Sequence, residues 1–174
     1  MNKYFQTEVG LLAIWDYGSL SEIDTLEQYQ ANFVEDTSML KLVNDGKICI
    51  WGTGGDGDFS IELRINPEKD LSEEEENIVD MRVANLKLVV NSGFICVGSP
   101  EAVGSAEDKA INDRLIDKFE NIEKGKYLVS IYFLYDSEAM EQESPDDKTG
   151  YVVAIKKVAD NYDFQTVSEL PQLG

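Results

Sequence analysis

The chain has 174 residues and carries 34 Asp and Glu against 15 Lys and Arg, a formal net charge of −19 with a pI near 4.2. Such a field repels phosphate backbones and anionic headgroups, so neither nucleic acid nor a membrane surface is expected as a partner. The sequence contains no His, which excludes Ser-His-Asp and Cys-His catalysis and every His-ligated metal site.

Hydrophobic residues make up 43% of the chain, enough for a sizeable core in one domain. The opening MNKYFQTEVG lacks a signal peptide's apolar stretch, and no run approaches the ~20 apolar residues that span a bilayer. Cys49 and Cys96 lie inside apolar runs, too few for a disulfide scaffold or a Cys-only zinc site. A soluble cytoplasmic protein with two reduced, buried thiols is expected.

Residues 4–16 read as a strand ending at the turn signal Asp16-Tyr17-Gly18. Residues 21–33 read as a helix, with Ser21 and Asp24 as a capping pair and Ile23, Leu26 and Phe33 on one stripe. Residues 39–51 read as a hairpin, since Asn44-Asp45-Gly46 separates two apolar runs and Gly accepts positive φ. After a Gly-rich loop, Phe59, Ile61, Leu63 and Ile65 alternate with polar residues, the pattern of a half-buried strand.

Residues 66–80 break the periodicity: Asn66-Pro67 stops the strand and Glu73 to Glu76 follow. An exposed acidic connection is expected here, joining halves of about 1–65 and 81–174. The second half opens with strand 81–90, turns at Asn91-Ser92-Gly93 and returns through 94–97. Residues 106–119 read as a helix, and residues 126–135 as a strand. A long polar loop over 136–150, strand 151–158 and a polar tail follow.

Aligned on Gly46 and Gly93, Ile48-Cys49-Ile50 meets Ile95-Cys96-Val97, and Leu40-Lys41-Leu42-Val43 resembles Leu86-Lys87-Leu88-Val89. The reading is mainly β, with α+β as the alternative. A duplicated antiparallel unit would form a sandwich or partly closed barrel, with two or three short helices. Trp15, Trp51, Tyr127, Tyr132, Phe133 and Tyr135 are assigned to core packing.

No motif points to a cofactor. The stretch Gly52 to Asp58 lacks the Lys and the following helix of a phosphate loop, and lacks the closing Glu of a calcium loop. Asp56 and Asp58 are the weak candidates for a divalent ion, against a glycine-rich loop kept soluble by Asp. Glu73, Glu74, Glu75 and Glu76, with Asp146 and Asp147 in the second long loop, are the candidate contacts for a basic partner. The alternative for any such run is a solvated face.

The segments FQTEVGLLAIWD, GKICIWGTGGDGDFSIELRI, LKLVVNSGFICVG and KGKYLVSIYFLY resemble a loose class of small acidic bacterial β proteins that includes immunity-type proteins of polymorphic toxin systems. The resemblance implies a fold type and a prior toward toxin or nuclease inhibition, and it transfers no functional residues. The expectation is a non-enzymatic acidic binding protein for a basic toxin or nuclease. A carboxylate-dependent enzyme, possible at Asp56 and Asp58, and a structural or accessory domain stand as alternatives.

Overall fold

Apolar residues recurring at a period of two place one row of side chains on each face of a strand, and two such rows packed together make a sandwich core. The computed structural model describes residues 3–103, 116–119, 121–142 and 148–174. Its strands are β1 (Lys3–Thr7), β2 (Leu11–Asp16), β3 (Ile48–Gly52), β4 (Gly57–Ile65), β5 (Val79–Val90), β6 (Ile95–Gly98), β7 (Ile116–Phe119), β8 (Gly125–Leu134) and β9 (Gly150–Val158). One sheet has the order β1-β4-β9-β8-β5 and the other β3-β2-β6-β7. Pairing is antiparallel except between β4 and β9, which run parallel.

The core lies between the sheets. Phe5, Ile61, Leu88, Val129, Ile131, Val153 and Ile155 from the first sheet meet Leu12, Ile14, Trp51, Ile95 and Val97 from the second. The outer face of the second sheet carries Ala13, Trp15, Ile48, Ile50 and Cys96. Two helices cover it: α1 (Leu26–Phe33) and α2 (Asp36–Asp45). The outer face of the first sheet is covered in part by residues 71–79, which include α3 (Glu73–Asn77). A further helix, α4 (Ser137–Glu141), follows β8. The mainly β architecture stands, with four α-helices among the described residues rather than two or three. No helix among them is long and apolar enough to cross a membrane.

Residues 39–51 are not a hairpin. Met39, Leu42 and Val43 are buried at helical spacing on α2, against the sheet. As a strand, Leu42 and Val43 would point to opposite faces, and one would lose about 1.5–3 kcal/mol of burial. β-propensity spans only about 1 kcal/mol, so the helix wins. Gly46 is its C-cap, at φ 76°, with its N–H directed at the Leu42 and Val43 carbonyls. Asp-Gly serves a helix end here as readily as a hairpin, because both need the left-handed region.

The second matched stretch is not a hairpin either. β5 and β6 are both strands, but they belong to different sheets, and residues 91–94 carry the chain across the sandwich. Cys49 faces the inter-sheet core while Cys96 faces the helices. A one-residue offset reverses every side chain in a strand, so the Ile-Cys steps are not equivalent and the duplication fails. The similarity belongs to apolar strands beside glycine, not to a repeated unit.

Three further boundaries differ. Residues 4–16 are split into β1 and β2, which lie in different sheets. The first helix starts at Leu26, where Thr25 and Gln28 form a reciprocal capping box, rather than at Ser21. Of the expected helix 106–119, residues 116–119 are strand β7 and the rest lies outside the described residues.

Asp16 is fully buried at the end of β2 and ties the turn after that strand to the β5–β6 crossing. Its Oδ2 accepts from Ser19 N at 2.9 Å and Ser19 Oγ at 2.7 Å. Its Oδ1 accepts from Asn91 N, Ser92 N and Ser92 Oγ at 3.2, 3.0 and 2.6 Å. The turn signal at Asp16-Tyr17-Gly18 thus also fixes the β5–β6 crossing, which is far away in sequence.

Candidate functional site

The acidic connection is a built structure rather than a solvated run. Leu71 is buried against Tyr132, Leu134, Val152 and Ala154 on the outer face of the first sheet. Ser72 then caps α3: its Oγ accepts from Glu75 N at 3.2 Å, and Glu75 Oε2 accepts from Ser72 N at 2.7 Å. This reciprocal box satisfies two otherwise orphan backbone donors. It also turns Glu75 inward while Glu73, Glu74 and Glu76 stay exposed.

Arg64 of β4 receives Glu75 in a fork. Nη1 donates to Oε2 at 3.0 Å and Nη2 to Oε1 at 2.6 Å. Nη1 also donates to the Asp70 carbonyl at 2.6 Å, and Nε to Glu62 Oε1 at 2.8 Å. The Arg64 hydrogen bond, which outweighs burial, lowers the Glu75 carboxyl to about 2, with help from the Ser72 backbone and hydroxyl. Arg64 is pushed up by the same partner.

A groove of about 690 Å³ runs between this segment and β8, with Tyr132 on its wall beside Asp70, Ser72, Glu73 and Glu76. Tyr132 donates its hydroxyl to Asp70 Oδ2 at 2.7 Å, and Asp70 Oδ1 lies 2.7 Å from Lys156 Nζ. Burial, reinforced by the bond to Asp70, raises the Tyr132 phenol to about 12. Burial alone would raise Asp70, but Lys156 and Tyr132 together reverse it and bring the carboxyl below its ordinary value. Arg82 stacks 5.8 Å from the Tyr132 ring centroid and pairs with Glu76 at 3.2 Å. Glu74 pairs with Lys148 at 2.5 Å. At pH 7 Glu75 and Asp70 are therefore carboxylates and Tyr132 is a neutral phenol that donates to one of them.

The predicted site residues separate accordingly. Glu73, Glu74 and Glu76 share one exposed turn, whereas Glu75 is 8% exposed and engaged with Arg64. Glu75 is therefore turned toward the sheet and set apart from the other three. The signal was present in the sequence as Ser72-x-x-Glu75, a capping box hidden inside an acidic run. Asp146 and Asp147 lie outside the described residues. Asp56 and Asp58 are exposed at the start of β4, and the described residues hold no group of three or more metal-ligating side chains. Tyr132 reads in sequence only as a core aromatic, and its link to Asp70 and Lys156 is not legible there, because β8, β9 and the connection meet only in the folded chain.

No protein-family model matches the sequence, and no curated protein matches it. A solved structure titled "Crocagin biosynthetic gene J" is similar to this chain, with a TM-score of 0.58 over 91% of this chain and 96% of that one. At 12% identity the likeness shows a shared fold and carries no residue roles.

Proposed function

We propose that this protein is a non-enzymatic acidic binding module that covers the cationic surface of a basic protein, as an immunity or inhibitor protein does. The observation that carries the reading is the Arg64–Glu75 fork. It pins α3 to the sheet, so that Glu73, Glu74 and Glu76 are presented from a rigid turn instead of a floppy loop. Rigid charges cost less ordering entropy on binding, and the −19 field speeds encounter with a positive cleft.

Affinity needs apolar anchors beside the charges. Tyr135, expected above in the core, is instead 47% exposed, and Met81 is 39% exposed; both lie at the same edge, where Tyr135 N donates to Ile78 O at 2.9 Å. In this reading the protein works in the cytoplasm, where its two free thiols stay reduced.

The test is capture from the source cell at low salt, followed by kinetics on the purified partner. The expected partner is basic, and its association slows as salt rises while dissociation changes little, because attraction beyond ~8 Å is screened. The triple variant E73Q/E74Q/E76Q should lower the on-rate roughly threefold to tenfold without unfolding the chain. Recovery of no basic protein, or association indifferent to salt, overturns the reading.

A further inference from the structure

After β9 the chain passes through the mostly exposed residues 159–166 and then returns to the body. Asn44 of α2 grips it with both ends of its amide. Its Nδ2 donates to Val167 O at 3.1 Å, and its Oδ1 accepts from Val167 N at 2.9 Å. At the end of β3, an edge strand of its sheet, Gly52 N donates to Pro171 O at 2.8 Å and Gly52 O accepts from Leu173 N at 2.9 Å. Residues 171–173 therefore extend the sheet edge in parallel, with Gln172 bridged to Gly52. Leu173, 2% exposed, drops into the inter-sheet core, and its carbonyl accepts from the Tyr151 hydroxyl at 2.8 Å.

The glycines of the loop are fitted to this segment. A Cβ on Gly54, where φ is +77°, would stand 2.6 Å from the Gly174 carbonyl carbon. One on Gly52 would meet the Gln172 amide at 2.0 Å. The Gly-rich stretch is thus a smooth shelf on which another backbone lies. Trp51, next to this shelf, is fully buried against Tyr151, and its Nε1–H has no partner among the described residues.

We propose that this shelf is a peptide-recognition site, occupied in cis by residues 171–173, for an extended partner segment carrying Leu two residues after Pro. Recognition is by strand addition: two backbone bonds to Gly52, one bond from Tyr151, and a single leucine pocket for specificity. Leu173 is the segment's one fully seated side chain, while Val167 and Leu170 pack against the body only in part, so few anchors have to be exchanged for a partner strand to replace it. Among residues 159–174, only Leu173 is buried. None of the residues forming this site lines the α3 groove, so the inference stands or falls independently of the proposed function.

The probe is a labelled synthetic peptide of residues 166–174, titrated against the full chain and against Leu173→Asp, whose own tail is evicted. Leu173→Asp should bind the peptide about tenfold more tightly than the parent. That factor follows from an effective concentration of about 1 mM for the tethered tail against a dissociation constant of about 100 μM. The same peptide with its second leucine replaced by Asp should not bind. A folded Leu173→Asp chain that ignores the peptide overturns the proposal, as does equal binding to both chains. Should Leu173→Asp fail to fold, a protease site placed after Asn161 in the full chain decides instead. After cutting, exchange of the native segment for labelled peptide supports the proposal. Failure to exchange, or unfolding on cleavage, shows the segment to be part of the core and overturns it.

Discussion

Arg64 and Glu75 lie 11 positions apart in sequence, on a strand and on the short helix folded over it, and meet through two parallel hydrogen bonds of 3.0 and 2.6 Å. The pair holds the acidic turn against the sheet. Because both groups are largely shielded, with side-chain exposures of 20% and 11%, removing one partner leaves the other poorly solvated. Glu75→Gln should cost about 2–3 kcal/mol at neutral pH, read as a lower urea midpoint at constant slope.

The same pair sets a pH dependence. The folded-state carboxyl of Glu75 lies near 2, below its unfolded value of about 4.3. Its stabilisation is therefore fully present above the unfolded pKa and is lost as pH falls through the folded one. The stability gap between the parent and Glu75→Gln should close between about pH 4.5 and 2. A gap unchanged at pH 2 would show that the fork is not the source of the difference.

Asp16 accepts three backbone N–H donors, from Ser19, Asn91 and Ser92, and both serine hydroxyls. An amide at this site must turn its NH₂ toward one of those backbone donors, which cannot accept. Asp16→Asn should therefore cost about 2–4 kcal/mol, and Asp16→Ala at least as much. Hydrogen exchange should show lost protection at residues 17–21 and 91–94 together, since one carboxylate serves both.

Gly46→Ala should be destabilising by about 2 kcal/mol, above the ~1 kcal/mol of a simple glycine C-cap. The added methyl meets Lys87 Cγ and Val89 Cγ2 at 2.9 Å in a backbone already at φ +76°. Thermal unfolding followed by circular dichroism checks it. A neutral outcome would contradict the packing of α2 against β5.

Both thiols should label slowly in the native protein and rapidly in denaturant. Burial raises Cys49 well above the ordinary thiol range, and its Sγ lies 3.3 Å from the Lys87 carbonyl. Burial also raises Cys96, to about 12, with Lys118 opposing the shift only in part. Little thiolate exists near neutral pH at either site. Fast labelling of the native chain would contradict the assignment of both to the core.

Local pattern was enough for several parts of this protein. Alternation over Phe59 to Ile65 identified β4, the runs at 126–135 and 151–158 identified β8 and β9, and composition identified a β-rich chain with a strongly negative field. These features depend on a residue and its near neighbours, where periodicity and turn chemistry act directly. What depended on distant partners was decided by tertiary structure. Asp-Gly at 45–46 is equally suited to a hairpin and to a helix end, and only the sheet waiting to bury Met39, Leu42 and Val43 selects the helix. Glu75 is one glutamate among four until Arg64 is brought beneath it. The tail reads as polar because its one buried residue, Leu173, stands between Gln172 and Gly174; Gly52 and Tyr151, which bond its backbone, come from distant strands. Sequence determines which side chains seek burial and which turns the backbone tolerates, whereas the choice among compatible partners is made by the free energy of packing them together.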